Sequence, residues 1–149
     1  MTEILRTTGE GTGVLFESLA TIGVCDVDWH RADFSGRVLD GLRFDKASMR
    51  NACFLGAQAE RASFLGVNAV MASFRGSVFL DSDFTGARLR YADFSGAVLR
   101  NVDFTDADLS MAKFLGADLR GSVFSGADVS GADFAGARVT DGQIGKDVP

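Results

Sequence analysis

The sequence predicts an all-β fold, a β-solenoid whose chain turns every five residues and closes a four-sided coil every twenty. Three observations predict it. Eleven of the thirteen phenylalanines stand ten residues apart, from Phe34 to Phe134. Midway between them lie Leu39, Met49, Ala59, Ala69, Phe79, Leu89, Leu99, Leu109, Leu119, Val129 and Val139, so the true period is five. Glycine recurs without a break at Gly36, Gly56, Gly76, Gly96, Gly116 and Gly136, whereas the positions between admit Lys46 and Asp106. A period of five fits neither the 3.6 of a helix nor a long strand, whose inward set would fall out of phase after one unit. Short extended segments joined by regular corners satisfy it, each coil burying its neighbour.

Residues 1–21 precede the repeat and form an expected cap. Gly9-Glu10-Gly11-Thr12-Gly13 is loop-like, and Val14 to Ala20 places apolar residues at helical spacing. Solenoid ends expose core and unpaired strand edges, which Phe16 and Leu19 are suited to cover. The repeat runs over 22–141, 120 residues that hold 24 units or about six coils. Each unit reads small, polar, large apolar, any, often glycine. Residues two apart on a strand share a face, so the small and the large residue point inward and the polar one between them points out. Trp29 takes a central position in the degenerate first coil, where Arg37 replaces the usual alanine and leaves the phase open. Cys25 and Cys53 fall on opposite sides of the square, too far apart for a disulfide. Two opposite sides are lined by phenylalanine columns, and Phe79 lies one coil above Ala59, a compensation of size. Residues 142–149 are a short tail.

Segments such as Ala92-Asp93-Phe94-Ser95-Gly96, Ala107-Asp108-Leu109-Ser110-Met111 and Ala117-Asp118-Leu119-Arg120-Gly121 resemble the A(D/N)LXX signature of pentapeptide-repeat proteins. The resemblance recurs some two dozen times and covers about four-fifths of the chain. It implies a right-handed quadrilateral β-helix. It also implies, for some bacterial members, imitation of duplex DNA and binding to DNA gyrase or topoisomerase, with protection from quinolones or toxins.

Composition narrows function by exclusion. With 15 Lys+Arg against 20 Asp+Glu the net charge is -5, against a basic nucleic-acid binder. No apolar run approaches the ~18 residues of a membrane helix, and no signal peptide opens the chain, so a cytoplasmic protein without membrane contact is expected. One histidine, His30, offers no metal pair and little scope for a Ser-His-Asp arrangement. The cysteines lack CxxC spacing, and Gly9, Gly11 and Gly13 lack the context of a phosphate loop. No enzyme, metal or cofactor is expected.

The outward surface is where a specific function can reside. Stacking residues twenty apart brings Met71, Tyr91 and Met111 into one column, with Val70 adjacent and Arg50, Arg88 and Arg90 flanking. Aromatic, Met and Arg enrichment is the composition of interface cores, so Val70, Met71, Arg88, Arg90, Tyr91 and Met111 are candidates for binding an unidentified protein partner. Val78, Leu80 and Val98 form a weaker second strip. The C-terminal coil, with Val129, Phe134, Val139 and Ile144, is a candidate end-to-end homodimer contact. The expected function is a rigid, non-enzymatic interaction or scaffold module. The DNA mimic is the alternative, although residues 22–141 hold 16 acidic against 13 basic residues and no break in the beat admits a projecting loop. Stacked Asp93, Lys113 and Asp133, and Arg88 beside Asp108, are expected to pair across the surface for solubility and register.

Overall fold

The computed structural model describes residues 25–140. The expected cap over 1–21 and the tail over 142–149 lie outside them. The chain is a right-handed quadrilateral β-helix, and residues twenty apart bridge in parallel from Asp28↔Ser48 to Asp118↔Arg138. On one side the bridging extends into three-residue strands, β1 (Gln58–Glu60), β2 (Val78–Leu80) and β3 (Val98–Arg100), stacked in that order with Ala59, Phe79 and Leu99 in register. Each side is named below by its central residue in the fourth coil: the Leu89, Phe94, Leu99 and Phe104 sides, in chain order.

One unit's hydrogen bonds explain the period. The Phe34 N–H donates to Cys53 O on the next coil, Cys53 N–H donates back to Ala32 O, and Gly36 N–H donates to Leu55 O. Ala32 N–H closes the corner on Trp29 O. The amide after the centre faces outward, and where an aspartate stands two positions earlier its carboxylate takes it. Asp33 Oδ1 accepts from Ser35 N–H at 2.9 Å, Asp83 from Thr85 at 2.8 Å, Asp93 from Ser95 at 2.9 Å and Asp103 from Thr105 at 2.8 Å. A buried or half-buried amide left unpaired is costly, which is why Asp suits this outward position.

Every fifth residue from Asp26 to Gly136 turns the corner with positive φ, twelve of them glycine and eleven not. Two corners that follow the Leu99 side are built differently. There the small residue's amide is met by a hydroxyl from the coil above: Ala62 N–H donates to Ser82 Oγ at 3.2 Å and Val102 N–H to Ser122 Oγ at 3.0 Å.

Inside, the two phenylalanine columns stand as expected. Phe34, Phe54, Phe74 and Phe94 stack nearly parallel at 4.6–4.7 Å between centroids. The facing column runs from Phe44 to Phe124, and rings of the two columns meet edge to face, as Phe74 and Phe84 do at 5.8 Å and 84°. Edge-on contact matches the positive rim of one ring to the negative face of another. Phe79 wedges between both columns, 5.7 Å from Phe74 and from Phe84 and 5.5 Å from Phe64, in the room left by Ala59.

The first coil keeps phase: Trp29, Phe34 and Leu39 are buried, while Arg37 is half-buried at the wall. Cys25 and Cys53 are both free thiols. The expected ion pairing along columns is not what forms. Among the described residues no ion pair joins Asp93 or Asp133 to Lys113, or Arg88 to Asp108. Asp93 instead pairs with Arg75, and Asp118 with Arg100, eighteen residues back. The cause is local: Asp93 Oδ1 is occupied by its own loop's amide, so Oδ2 reaches diagonally to the guanidinium of the preceding coil. Asp118 is buried rather than a surface residue, held by Arg100 Nε and by Arg120 Nε and Nη2, each at 2.8 Å. The hydrogen bonds from Arg120, with those from Arg100, hold its carboxyl well below the usual carboxylate range.

Candidate protein-interaction face

The corner between the Leu89 and Phe94 sides carries Arg31, Asn51, Met71, Tyr91, Met111 and Gly131 on six successive coils. Their backbones are coupled coil to coil: Met71 N–H donates to Arg90 O, Tyr91 N–H to Ser110 O and Met111 N–H to Ser130 O. All six have positive φ, with Met71 at 61°, Tyr91 at 60° and Met111 at 62°. For an L-residue that conformation costs about 1–2 kcal/mol, and Asn and Asp bear it best by hydrogen-bonding locally. Elsewhere the non-glycine corners are Asp, Asn, Arg or Lys. The three apolar ones among the described residues share this single column and are consecutive.

They are also exposed, Met71 by 57%, Tyr91 by 47% and Met111 by 46%. Gly131 closes the column, and the Met111 side chain lies against it, since a Cβ there would stand only 2.5 Å from Met111 Sδ. Arg90 Cζ lies over the Tyr91 ring, 5.2 Å from its centroid, a cation–π contact that covers one face of the ring. Arg50, Arg88 and Arg90 are exposed on the Leu89 side beside the column, and Val70 is half-buried at its foot. The six residues singled out from the sequence therefore lie together, Val70 as support and the others at the surface.

Other sequence-derived sites fare differently. Val78, Leu80 and Val98 are half-buried members of β2 and β3, so the second strip does not form an exposed patch. Val129 and Phe134 are partly buried and Val139 is 43% exposed on the last described coil, while Ile144 lies outside the described residues. Sequence reasoning missed exposed Val38, Leu55, Leu65 and Leu115. Leu55 and Leu115 share a column, but Arg75 and Ser95 separate them, so no continuous patch results. Leu55, Leu65 and Leu115 stand directly after a centre, a position open to any side chain, whereas Val38 stands directly before one, in the outward position. Among the described residues no group of three His, Cys, Asp or Glu could hold a metal ion, and no helix is long and apolar enough to cross a membrane.

Residues 40–114 match the family described as pentapeptide repeat region, and residues 103–141 match that described as pentapeptide repeats (8 copies). Among solved structures, the chain is similar to a pentapeptide repeat protein, Rfr23, from the cyanobacterium Cyanothece 51142. Identity is 15%, coverage 73% of this chain and 88% of that one, and the TM-score 0.71, which shows the fold. It is also similar to a pentapeptide repeat protein from the Arabidopsis thaliana thylakoid lumen, at 26% identity over 91% of this chain and 79% of that one, with a TM-score of 0.48. A trypsin-treated form of QnrB1, a plasmid-mediated fluoroquinolone resistance protein, matches at 18% identity over 81% and 91%, with a TM-score of 0.41. No curated protein matches the chain at the level of sequence.

Proposed function

This chain belongs to the pentapeptide-repeat family, and from that premise we propose that it is a rigid, non-enzymatic interaction module that docks a protein partner on the Met71–Tyr91–Met111 corner. One observation carries the reading: three exposed apolar side chains occupy consecutive left-handed corners that the fold fills elsewhere with glycine or polar residues. A conformation strained by about 1–2 kcal/mol per residue serves a purpose outside the fold when the side chain has no buried role. Aromatic and Met side chains beside arginine are also the usual make-up of interface anchors. The DNA mimic gains nothing from charge, because this face presents Arg50, Arg88 and Arg90 where duplex DNA would present phosphate.

The test is affinity capture from host lysate with the wild-type chain, Tyr91→Glu and, as a control on another side, Leu65→Glu. Proteins retained by wild type and Leu65→Glu but lost with Tyr91→Glu support docking at the corner. Retention unaffected by Tyr91→Glu removes it, and recovery of gyrase or topoisomerase subunits independent of Tyr91 moves the reading to the mimic.

A further inference from the structure

Most arginines of the described residues fall into two sets, with Arg37 and Arg138 on the Leu99 side outside both. Arg43, Arg61, Arg75, Arg100 and Arg120 are ion-paired to carboxylates, and none of them lies on the Leu89 side. Arg31, Arg50, Arg88 and Arg90 have no carboxylate within 4 Å among the described residues, and all four lie on that side or at its corner. The side's own carboxylates stand apart from them in direct contact. Asp28 accepts from His30 N–H, Asp108 from Ser110 and Asp128 from Ser130. Asp128 feels Arg90 only at longer range, after the closer hydrogen bonds from Ser130. The side is therefore cationic on its second and fourth coils, through Arg50 and through Arg88 and Arg90, without net charge on its first and third, and acidic over its last two. A guanidinium without a carboxylate partner of its own can make a charge-assisted, bidentate bond to a carboxylate brought from outside.

Axial spacing adds a second constraint. Stacked strands repeat at about 4.8 Å, so Met71, Tyr91 and Met111 span about 9.6 Å along the axis. Two turns of α-helix rise about 10.8 Å, a mismatch near 1 Å. Four residues of extended strand rise about 13 Å, a mismatch above 3 Å. A partner helix laid along the axis thus keeps one apolar residue per coil in contact, whereas a strand slips out of step by the third. The flanks differ too: beyond the corner on the Phe94 side come Ser73, Asp93 and Lys113, with Asp93 already tied to Arg75.

We propose that the occupant of this face is an acidic amphipathic helix of a partner protein, lying along the solenoid axis with its apolar stripe on Met71, Tyr91 and Met111 and its carboxylates on one flank, toward Arg50, Arg88 and Arg90. The inference rests on the corner being the docking face. Charge on the flank sets encounter rate and orientation, and the apolar stripe supplies the anchor.

A displayed library of random 16-residue peptides, selected on the wild-type chain and re-tested on variants, reads both properties at once. The expected winners carry apolar residues at i, i+3 or i+4, and i+7, with Asp or Glu along one side. They bind Tyr91→Glu about tenfold more weakly or worse, bind an Arg88→Glu/Arg90→Glu double variant several-fold more weakly, and weaken with added salt. Tyr91→Gly is the second variant at the anchor, and unchanged circular dichroism in each keeps loss of binding separate from loss of fold. Winners that depend on Tyr91 but are basic, or alternate with period two, overturn the acidic helix and leave the docking corner standing. A random single-stranded oligonucleotide held by wild type and released by Tyr91→Glu overturns it in favour of nucleic acid. A selection that yields no Tyr91-dependent binder overturns both the helix and the corner.

Discussion

Replacing Tyr91 by glycine separates a side chain that holds the fold from one that the fold merely displays. Four contributions can be estimated. Relief of the left-handed backbone at φ 60° returns about 1–2 kcal/mol. The added freedom of glycine in the unfolded chain takes back about 0.5–1 kcal/mol. The ring is 47% exposed, so about half the value of a buried aromatic side chain is forfeited, about 1 kcal/mol. Losing the contact with Arg90 removes a further ~0.5–1 kcal/mol typical of an exposed cation–π pair. The net is a loss near 1 kcal/mol. Leu89, two residues earlier and fully buried, should cost about 2–5 kcal/mol as Leu89→Ala. Urea unfolding followed by circular dichroism compares the two midpoints, valid while the slopes agree, since a stacked-repeat protein can lose cooperativity. A Tyr91→Gly loss of about 3 kcal/mol or more, equal to that of Leu89→Ala, would refute the reasoning and make the ring part of the core.

Two further outcomes follow from the interior and from the carboxylates. Phe79→Ala should cost about 3–5 kcal/mol and Ala59→Phe about 1–3, yet the double variant, which moves the wedge one coil down, should fall short of their sum by about 1–3 kcal/mol; additivity within about 0.5 kcal/mol in urea melts would show that the two sites do not share volume. Asp33, Asp118 and Asp128 have carboxyls lowered in the folded chain, by hydrogen bonds from Ser35, Arg120 and Ser130 respectively. The stabilisation they give is present above the unfolded value near 3.9 and is lost as pH falls through the lower folded values. The melting temperature should therefore hold level from about pH 7 to 5 and drop below about pH 4, the drop being smaller in Asp118→Asn; a level profile down to about pH 2.5 would contradict it.

What the sequence made legible is the inward half of each unit. The identity of every fifth residue is dictated by a fixed volume inside the square, so even the first coil, with Arg37 in an alanine's place, stays in phase because Trp29, Phe34 and Leu39 fill theirs. The outward half obeys bonds that periodicity does not announce. Placing Asp93 above and below like and unlike charges was sound arithmetic, but one of its oxygens is already committed to Ser95 N–H, and the other turns to Arg75. Val78, Leu80 and Val98 looked exposed by the same arithmetic; on their side the chain runs as true strands, and neighbouring coils cover them. The corner column was found because stacking by twenty is all that locates it.

Why it matters was hidden until the backbone was known. The left-handed conformation is demanded at every fifth residue whatever the side chain, and glycine, Asn and Asp meet the demand with least strain. Corners are thus the positions where the fold states a preference and a departure from it can be read. Asp26, Asn51, Asp81, Asn101 and Asp106 follow the preference, and Arg31, Lys46 and Arg61 depart with side chains that water readily solvates. Met71, Tyr91 and Met111 depart toward apolar groups that gain nothing from water and little from the core. Three such departures on consecutive coils of one edge, beside Arg50, Arg88 and Arg90, which no internal carboxylate claims, are the observations on which the proposed docking of an acidic, apolar-striped helix rests.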